Sequence, residues 1–271
     1  MNTETLLIDI GGTNLRAGAG NTSAMTISDI KKIKVVSNND IFEVLHEINS
    51  KHKYKEVIIS AAGPVVENKI TMTNRSLQIN ATDLEKELNV SECHLLNDWE
   101  SIGYSLPLMT DNDFKTIKNG KLDSNQTCLA IGPGTGLGFS VLRYVGNTPY
   151  VYSTELGNTR AYNAHLSNLF EINNSENFLV LEDYLSGTGI KKIYAAKSGK
   201  NLTTEEIVSR YHDDDLATFI IDNFIVAMSN LLQDLALTFN ARGGIFFAGS
   251  LMRTISAVSY THLTLPTTPV V

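Results

Sequence analysis

Cysteine is scarce in this chain, and long uninterrupted apolar segments are missing. The 271 residues include only two cysteines, Cys93 and Cys128, which stand alone without the spacing of metal ligands. We interpret them as reduced core thiols of a cytoplasmic protein. No uninterrupted apolar run approaches the roughly 20 residues that span a bilayer, and the first predicted strand begins almost at the N-terminus. We therefore expect neither a signal peptide nor a membrane partner.

Basic residues are also in the minority. Lysine and arginine number 22 against 29 aspartates and glutamates, which gives a formal net charge of −7. Because nucleic-acid phosphates attract a basic face, this charge argues against a nucleic-acid partner. The six histidines form no H-x-x-E-H group, so we expect no zinc site.

Two common phosphate-binding motifs are missing as well. The sequence has no G-x-x-x-x-G-K-[ST] segment, and no G-x-G-x-x-G segment opens a helix after the first predicted strand. The segment 13–19 remains strand-like, because it lacks a helical apolar period. We therefore expect neither a Walker-type loop nor a dinucleotide-binding fold.

Two glycine-rich turns are the most informative feature that is present. Segments 6–18 and 129–142 each consist of a short apolar strand, a glycine-rich turn and a returning strand. Glycine allows backbone N–H groups to approach an anion closely, and Thr13 and Thr135 each add a hydroxyl group. One such turn is weak evidence, but the pair predicts two similar lobes that close on one nucleotide.

Between and after these turns, apolar strands alternate with helical stretches, which indicates an α/β protein. The spacing predicts helices at 41–48, 82–88 with Thr82 as N-cap, and 222–240 ending before a glycine pair, and strands at 57–60, 70–72, 93–96 and 245–248. A polar stretch at 107–124 suggests a small lobe over 1–108 and a large lobe over 109–256.

The last fifteen residues, 257–271, break this pattern. They are rich in threonine and proline, and the segment 258–263 looks like a translated sequencing adaptor. We interpret 257–271 as a non-native tail. We therefore expect the large lobe to be truncated, and the chain as written to be poorly soluble and inactive. An ordinary disordered tail is the alternative.

Seven segments resemble motifs of the bacterial glucokinases, and they occur in the family's order. They are 7–16 (phosphate-1), 61–65 and 72–74 (sugar lobe), 96–103 (catalytic), 132–138 (phosphate-2), 185–189 (after the last sugar-binding glutamate) and 243–249 (adenosine). The resemblance implies a two-lobed, ribonuclease-H-like α/β fold of the actin-like ATPase type. Nucleotide and sugar would then bind in the cleft between the lobes.

The resemblance also implies the nucleotide site. Its residues would be Asp9, Gly11, Gly12, Thr13, Asn14, Gly134, Thr135, Gly136, Gly244 and Gly249. ATP and Mg²⁺ are the expected cofactors, with Asp9 facing the metal ion through water. The adenine would lie near Gly244 and Gly249.

Asp98 is the predicted general base. Phosphoryl transfer to an alcohol needs a carboxylate at the attacking hydroxyl, and Asp98 follows a predicted strand. A purely structural role is the alternative, because Asn97 and Glu100 form an N-terminal capping box. Asp98 would then only favour the helix dipole. The two roles are compatible.

The remaining sugar ligands follow from the resemblance. They would be Asn74, Asn97, Glu155, Asn158 and Glu182, together with Asp98. Two positions depart from the family pattern: Asn158 replaces a histidine of the G-E-G-G-H segment, and Leu77 replaces an aromatic residue. Both departures weaken the expectation that glucose is the preferred sugar.

We therefore expect a cytoplasmic, ATP-dependent hexose kinase of glycolysis, which converts glucose to glucose 6-phosphate. A non-catalytic sugar-binding sensor and a superfamily kinase for another sugar are the alternatives. The sequence leaves open the preferred hexose, the phosphoryl donor and the formation of a homodimer.

Overall fold

The structure is a computed structural model of the chain, and it describes residues 4–72, 76–118, 120, 123 and 125–258. Internal contacts divide the chain into a first unit, Met1–Ser101, and a second unit, Ile102–Val271. This division falls a few residues before position 108, where the sequence suggested the end of the small lobe.

The first unit is built around a five-stranded sheet. Its elements are β1 (Glu4–Ile10), β2 (Asn14–Asn21), β3 (Thr26–Lys34), α1 (Asn38–His52), β4 (Glu56–Ala61), β5 (Val65–Val66), β6 (Lys69–Thr71), β7 (Gln78–Asn80), α2 (Ala81–Leu88), β8 (Glu92–Asn97) and the start of α3 (Asp98–Ser105). The main sheet has the order β3-β2-β1-β4-β8, and β5, β6 and β7 form a small separate sheet. β1, β4 and β8 run parallel.

The second unit combines a four-stranded sheet with most of the helices. Its elements are β9 (Cys128–Pro133), β10 (Leu137–Val145), β11 (Thr148–Thr154), α4 (Asn163–Leu169), α5 (Gly187–Ser198), α6 (Thr204–Ser209), α7 (Asp215–Phe239), β12 (Gly244–Phe247) and α8 (Ser250–Val258), with 3-10 helices at Leu106–Leu108, Leu156–Asn158 and Leu181–Asp183. The sheet order is β11-β10-β9-β12, and β12 runs parallel to β9.

Both predicted hairpins are confirmed. In the first, Ile10 of β1 pairs with Leu15 of β2, and in the second, Pro133 of β9 pairs with Leu137 of β10. We call residues 11–13 the first turn and residues 134–136 the second turn. Each turn connects two antiparallel strands, as the glycine pattern predicted.

The N-cap of α2 differs from the prediction. Asn80, not Thr82, is the cap, because its side-chain oxygen accepts hydrogen bonds from the backbone N–H groups of Thr82 and Asp83. Asparagine is among the best N-cap residues, and Asn80 also ends strand β7. The predicted N-cap of α2 was therefore two residues too late.

Helix α7 is longer than predicted. It begins at Asp215 behind the cap Asp214, seven residues before the predicted start at Asp222. It ends at Phe239, where Asn240 takes the left-handed conformation with φ 48°. Asparagine can substitute for glycine at such a helix end, so the helix stops before the glycine pair.

Length and composition alone would allow α7 to cross a membrane, and it is the one such helix in the described part of the chain. The same test is passed by core helices, and half of the apolar stretch is buried inside the protein. The buried positions are Ala217, Ile220, Ile221, Phe224, Ile225, Ala227, Met228, Leu231, Leu232 and Leu235. They belong to the apolar core of the second unit, so the apolar face of α7 is used for packing.

Helix α8 follows β12 and reaches Val258. Its bounds include the first two residues of the segment that we interpret as a non-native tail. Residues 259–271 lie outside the described part of the chain.

Close packing fixes the start of β12. A Cβ atom added at Gly243 would lie 2.6 Å from Cys128 Sγ and 2.7 Å from the carbonyl oxygen of Gln126. The Gly243 N–H donates to the carbonyl oxygen of Thr127 at 2.9 Å. The glycine is therefore explained by packing against the chain that leads into β9.

We expect Gly243→Ala to destabilise the second unit, because the new methyl group would meet backbone atoms that cannot move freely. Overpacking of this kind costs about 1–3 kcal/mol, which corresponds to a fall of roughly 2–12 °C in the thermal midpoint for a unit of this size. Circular dichroism on heating measures the shift. Gly120→Ala is the matched control, since a Cβ atom there meets nothing within 4 Å. Equal midpoints for the two variants would contradict the packing explanation.

Candidate functional site

The first turn is held by its own backbone. The Gly11 N–H donates to the carbonyl oxygen of Asn14 at 2.8 Å, and the Thr13 carbonyl oxygen accepts from Val35 N at 3.1 Å. Gly12 and Thr13 are exposed, and the Asn14 amide donates to the Thr13 hydroxyl at 2.9 Å. The turn therefore has a fixed shape and an exposed tip.

Asp9 lies two residues before the first turn and is paired with Arg16. The two residues face each other across the β1–β2 hairpin, and the guanidinium donates to Asp9 Oδ2 at 2.6 Å. Both side chains are partly exposed, at 43% for Asp9 and 58% for Arg16. No role was predicted for Arg16 from the sequence. The register of the predicted hairpin could have identified it, because Asp9 and Arg16 are paired across the strands.

Asp98 lies at the same edge of the sheet as the first turn. Ile10 is aligned with Ala61 on β4, and Ala61 is aligned with Asn97 on β8. The parallel strands β1 and β8 therefore end together, and Gly11 and Asp98 follow these ends. With one strand between them, the two strand ends are about 10 Å apart.

The predicted capping box at the start of α3 is confirmed. The Asn97 side-chain oxygen accepts from Trp99 N at 2.9 Å, and the Asn97 N–H donates to Glu100 Oε2 at 3.3 Å. Asn97 is only 6% exposed, and its amide nitrogen donates to the carbonyl oxygen of Gly63 at 2.9 Å. Burial raises the pKa of Glu100, while the bond from Asn97 N–H opposes this. These bonds fix the backbone from which the half-buried Asp98 projects.

The second turn is also closed by its backbone. Gly134 N–H donates to the carbonyl oxygen of Gly136 at 2.8 Å, and the Gly134 carbonyl oxygen accepts from Gly187 N at 2.7 Å. Gly134 and Thr135 are exposed, and a Cβ atom at Gly134 would meet no atom within 4 Å. Open space therefore lies above a turn that α5 holds in place.

Glu155 precedes the 3-10 helix Leu156–Asn158, and Asn158, its last residue, is bonded to Glu155. The Asn158 amide donates to Glu155 Oε2 at 2.9 Å, and both residues are exposed. The asparagine that departs from the family pattern therefore orients a predicted sugar ligand.

Glu182 lies in the same unit, in the 3-10 helix Leu181–Asp183, and is half-buried. Its Oε2 accepts a hydrogen bond from the backbone N–H of Leu137, just after the second turn, at 3.1 Å. The sequence did not predict this contact between Glu182 and Leu137.

Two further predicted positions near the sugar segments have different outcomes. Asn74 lies outside the described residues. Leu77 is only 6% exposed and belongs to the apolar core of the first unit. The replacement of the family's aromatic residue there is therefore a change in packing.

The two predicted adenosine residues lie at opposite ends of β12. Gly249 follows the strand, and a Cβ atom there would lie 3.7 Å from the carbonyl oxygen of Pro133, beside the second turn. Gly244 pairs with Cys128 at the other end of β9. The structure therefore brings Gly249, and not Gly244, to the second turn.

The cysteines and the possible metal ligands lie away from these turns. Burial raises the pKa of Cys93 to about 12 and that of Cys128 to about 11, so both remain thiols at neutral pH. Among the described residues, Glu56, Glu92 and His94 are the one group close enough to share a metal ion. They lie towards the amino ends of β4 and β8, away from the edge with Asp98, and His94 Nε2 is within hydrogen-bonding distance of Glu92 Oε2, at 3.2 Å.

Comparisons with known proteins agree with this arrangement. The glucokinase family model matches residues 6–260. A glucokinase from Colwellia psychrerythraea is 26% identical over 91% of this chain and 81% of its own length. The crystal structure of a glucokinase from an Antarctic psychrotroph has a TM-score of 0.78 at 22% identity, covering 97% of this chain and 86% of that one.

A second solved structure contains ligands. It is a ROK family glucokinase from Streptomyces griseus in complex with glucose and AMPPNP, with a TM-score of 0.58 at 18% identity, covering 96% of this chain and 90% of that one. These likenesses confirm the predicted α/β fold of the actin-like ATPase type. Because the family model spans nearly the whole described chain, the chain belongs to the glucokinase family.

Proposed function

We propose that this protein transfers the terminal phosphoryl group of ATP to a hexose, with glucose as the first candidate. Its family makes it a hexose kinase. One observation supports the proposal most strongly: the first turn and Asp98 leave the same edge of one sheet. Phosphoryl transfer depends on holding the phosphate and the acceptor hydroxyl close together and in line.

The two turns suit the phosphates of ATP. Each has a fixed backbone and an exposed tip, and open space above Gly134 leaves room for a ligand. Thr13 and Thr135 are exposed beside them and can donate hydroxyl hydrogen bonds. Gly249 beside the second turn is then the better candidate for the adenosine end than Gly244.

The donor set near the first turn fits Mg²⁺. Asp9 offers a carboxylate, the ligand type that Mg²⁺ prefers, and Arg16 holds one of its oxygens. Contact through water is consistent with that pairing. When bound, the ion would supply positive charge that offsets the negative charge of the phosphates.

Asp98 would accept the proton from the 6-hydroxyl of the sugar as that oxygen attacks. Its carboxylate is placed by a helix start that Asn97 and Glu100 cap on either side. A fixed carboxylate loses little entropy on orienting the hydroxyl. The capping box therefore contributes to the proposed chemistry by restricting where Asp98 points.

Carboxylates and amides would bind the other hydroxyls. Glu155, Asn158 and Glu182 belong to the second unit, and Asn97 and Asn74 to the first. A carboxylate accepts from more than one hydroxyl, which suits a polyol. Asn158 in place of the family's histidine supports a second candidate, a hexose that differs from glucose near the anomeric carbon.

We also propose that the enzyme is cytoplasmic and forms a homodimer. The free thiols Cys93 and Cys128 are consistent with a cytoplasmic enzyme. A homodimer stays a prediction that analytical sedimentation tests. ADP release across a hexose panel separates an active kinase from a sugar sensor, since a sensor binds sugar without releasing ADP.

Asp98→Asn should lower turnover by about 100- to 10,000-fold, because the amide cannot accept the proton. AMPPNP affinity and the thermal midpoint should not change. Trp99 N also donates to Asp98 Oδ1 at 3.0 Å, and the amide oxygen of asparagine can still accept this bond. A coupled assay for ADP measures turnover. Glu100→Gln is the control, because it removes a neighbouring carboxyl but keeps an oxygen that accepts from Asn97 N–H, and it should retain most activity. Near-normal turnover of Asp98→Asn would rule Asp98 out as the base.

Gly134→Val should abolish AMPPNP binding and leave hexose binding detectable by calorimetry. The added side chain would fill the open space above the second turn without a clash at its Cβ atom. Gly120→Val is the matched control, since that position is also open but lies outside both turns. Unchanged AMPPNP affinity in Gly134→Val would mean that the second turn is only structural.

Asn158→His should raise glucose affinity if glucose is the sugar for which the site evolved. A changed hydrogen-bonding partner in a binding site shifts affinity by about 1–3 kcal/mol. Calorimetry with glucose measures the change, and Asn158→Ala serves as control, because it removes the bond to Glu155 without adding a donor. A loss of glucose affinity in Asn158→His would show that Asn158 is suited to another sugar.

A further inference from the structure

The Glu182 carboxylate fills the space that two glycines leave open. A Cβ atom at Gly136 would lie 2.5 Å from Glu182 Oε2, and one at Gly157 would lie 2.8 Å from the same oxygen. Real Cβ atoms do not approach other atoms so closely. Both positions therefore have to be glycine for the carboxylate to occupy its place between the second turn and the 3-10 helix Leu156–Asn158.

This carboxylate satisfies a buried donor of the hairpin. Leu137 is 5% exposed, and its N–H donates to Glu182 Oε2 at 3.1 Å. A hydrogen bond to a charged acceptor is stronger than one between neutral groups. Removing the acceptor would leave a buried N–H without a partner, which is costly.

The backbone of Glu182 is itself fixed. The hydroxyl of Ser186, which is fully buried, donates to the Glu182 carbonyl oxygen at 2.6 Å and also caps α5. On the other side, Leu181 N donates to the carbonyl oxygen of Thr159 at 2.8 Å. Glu182 is therefore a rigid support on which the second turn rests.

We propose that Glu182 is a positioning residue for the second turn, which it holds in its phosphate-binding shape through Leu137 N–H. This role is separate from the sugar contact that the family resemblance implies, and it rests on the proposed function in that the second turn binds ATP. Oε2 holds the turn, and within the described part of the chain Oε1 accepts no hydrogen bond. One carboxylate can therefore serve the turn and a sugar hydroxyl with different oxygens.

The test uses AMPPNP affinity in the absence of any sugar. Glu182→Ala should weaken AMPPNP binding by about tenfold, the size expected for losing a charge-assisted hydrogen bond. Glu182→Gln should lose much less, because an amide oxygen still accepts from Leu137 N–H. Glu155→Gln is the matched control: it should weaken hexose binding but not AMPPNP binding, because Glu155 bonds to Asn158 and not to the turn. Equal AMPPNP affinity in Glu182→Ala and the wild type would overturn the inference.

Gly136→Ala provides a second variant that does not remove the carboxylate. The new methyl group would displace Glu182 Oε2 and should weaken AMPPNP binding. In the Glu182→Ala background the same change should add little, because the obstructing carboxylate is gone. Fully additive losses would show that the two residues act independently and would overturn the inference.

A third measurement needs no nucleotide. Hydrogen exchange of the Leu137 amide should be about tenfold faster in Glu182→Ala than in Glu155→Gln, while the thermal midpoints of both variants show that they are folded. If a folded wild type, judged by a cooperative thermal transition, fails to bind AMPPNP, the proposed function is wrong. If it binds AMPPNP but Glu182→Ala changes neither affinity nor exchange, this inference alone is wrong.

Discussion

The second turn depends on hydrogen bonds from distant parts of its own unit. The Gly134 carbonyl oxygen is held by Gly187, and the Leu137 N–H is held by Glu182. Ordering a backbone residue costs about 1–2 kcal/mol in entropy, so a turn that is already fixed binds a ligand at lower cost. The first turn reaches the same condition with local bonds, chiefly that between Gly11 and Asn14.

What could be predicted from the sequence is what adjacent residues encode. Glycines between apolar strands predicted both hairpins, and Asn97 with Glu100 predicted the capping box at α3. The bond from Leu137 to Glu182 joins residues 45 positions apart, and no local period or cap records such a contact. The apolar pattern predicted a start for α7 at Asp222, because the first two turns of the helix were not included in it. Asp214, a good N-cap residue, marks the actual start.

The two departures from the family pattern have different physical meanings. Leu77 is buried in the core of the first unit, so its side chain is constrained by packing. Asn158 is exposed and bonded to Glu155, so core packing does not constrain its side chain. From the sequence alone, both departures weakened the expectation of glucose equally, because a motif does not show which of its residues are buried.

The main sheets of the two units share one strand order. Three antiparallel strands followed by a parallel one occur as β3-β2-β1-β4 in the first unit and as β11-β10-β9-β12 in the second. Helix α1 alone connects β3 to β4, whereas α4 to α7 connect β11 to β12. Both units therefore place a glycine-rich turn between the first two strands of the same four-strand order, and they differ in the connection to the fourth strand. The longer connection of the second unit, residues 155–243, contains Glu182 and so supplies the bond to Leu137 N–H beside the second turn, whereas the first turn relies chiefly on the bond between Gly11 and Asn14.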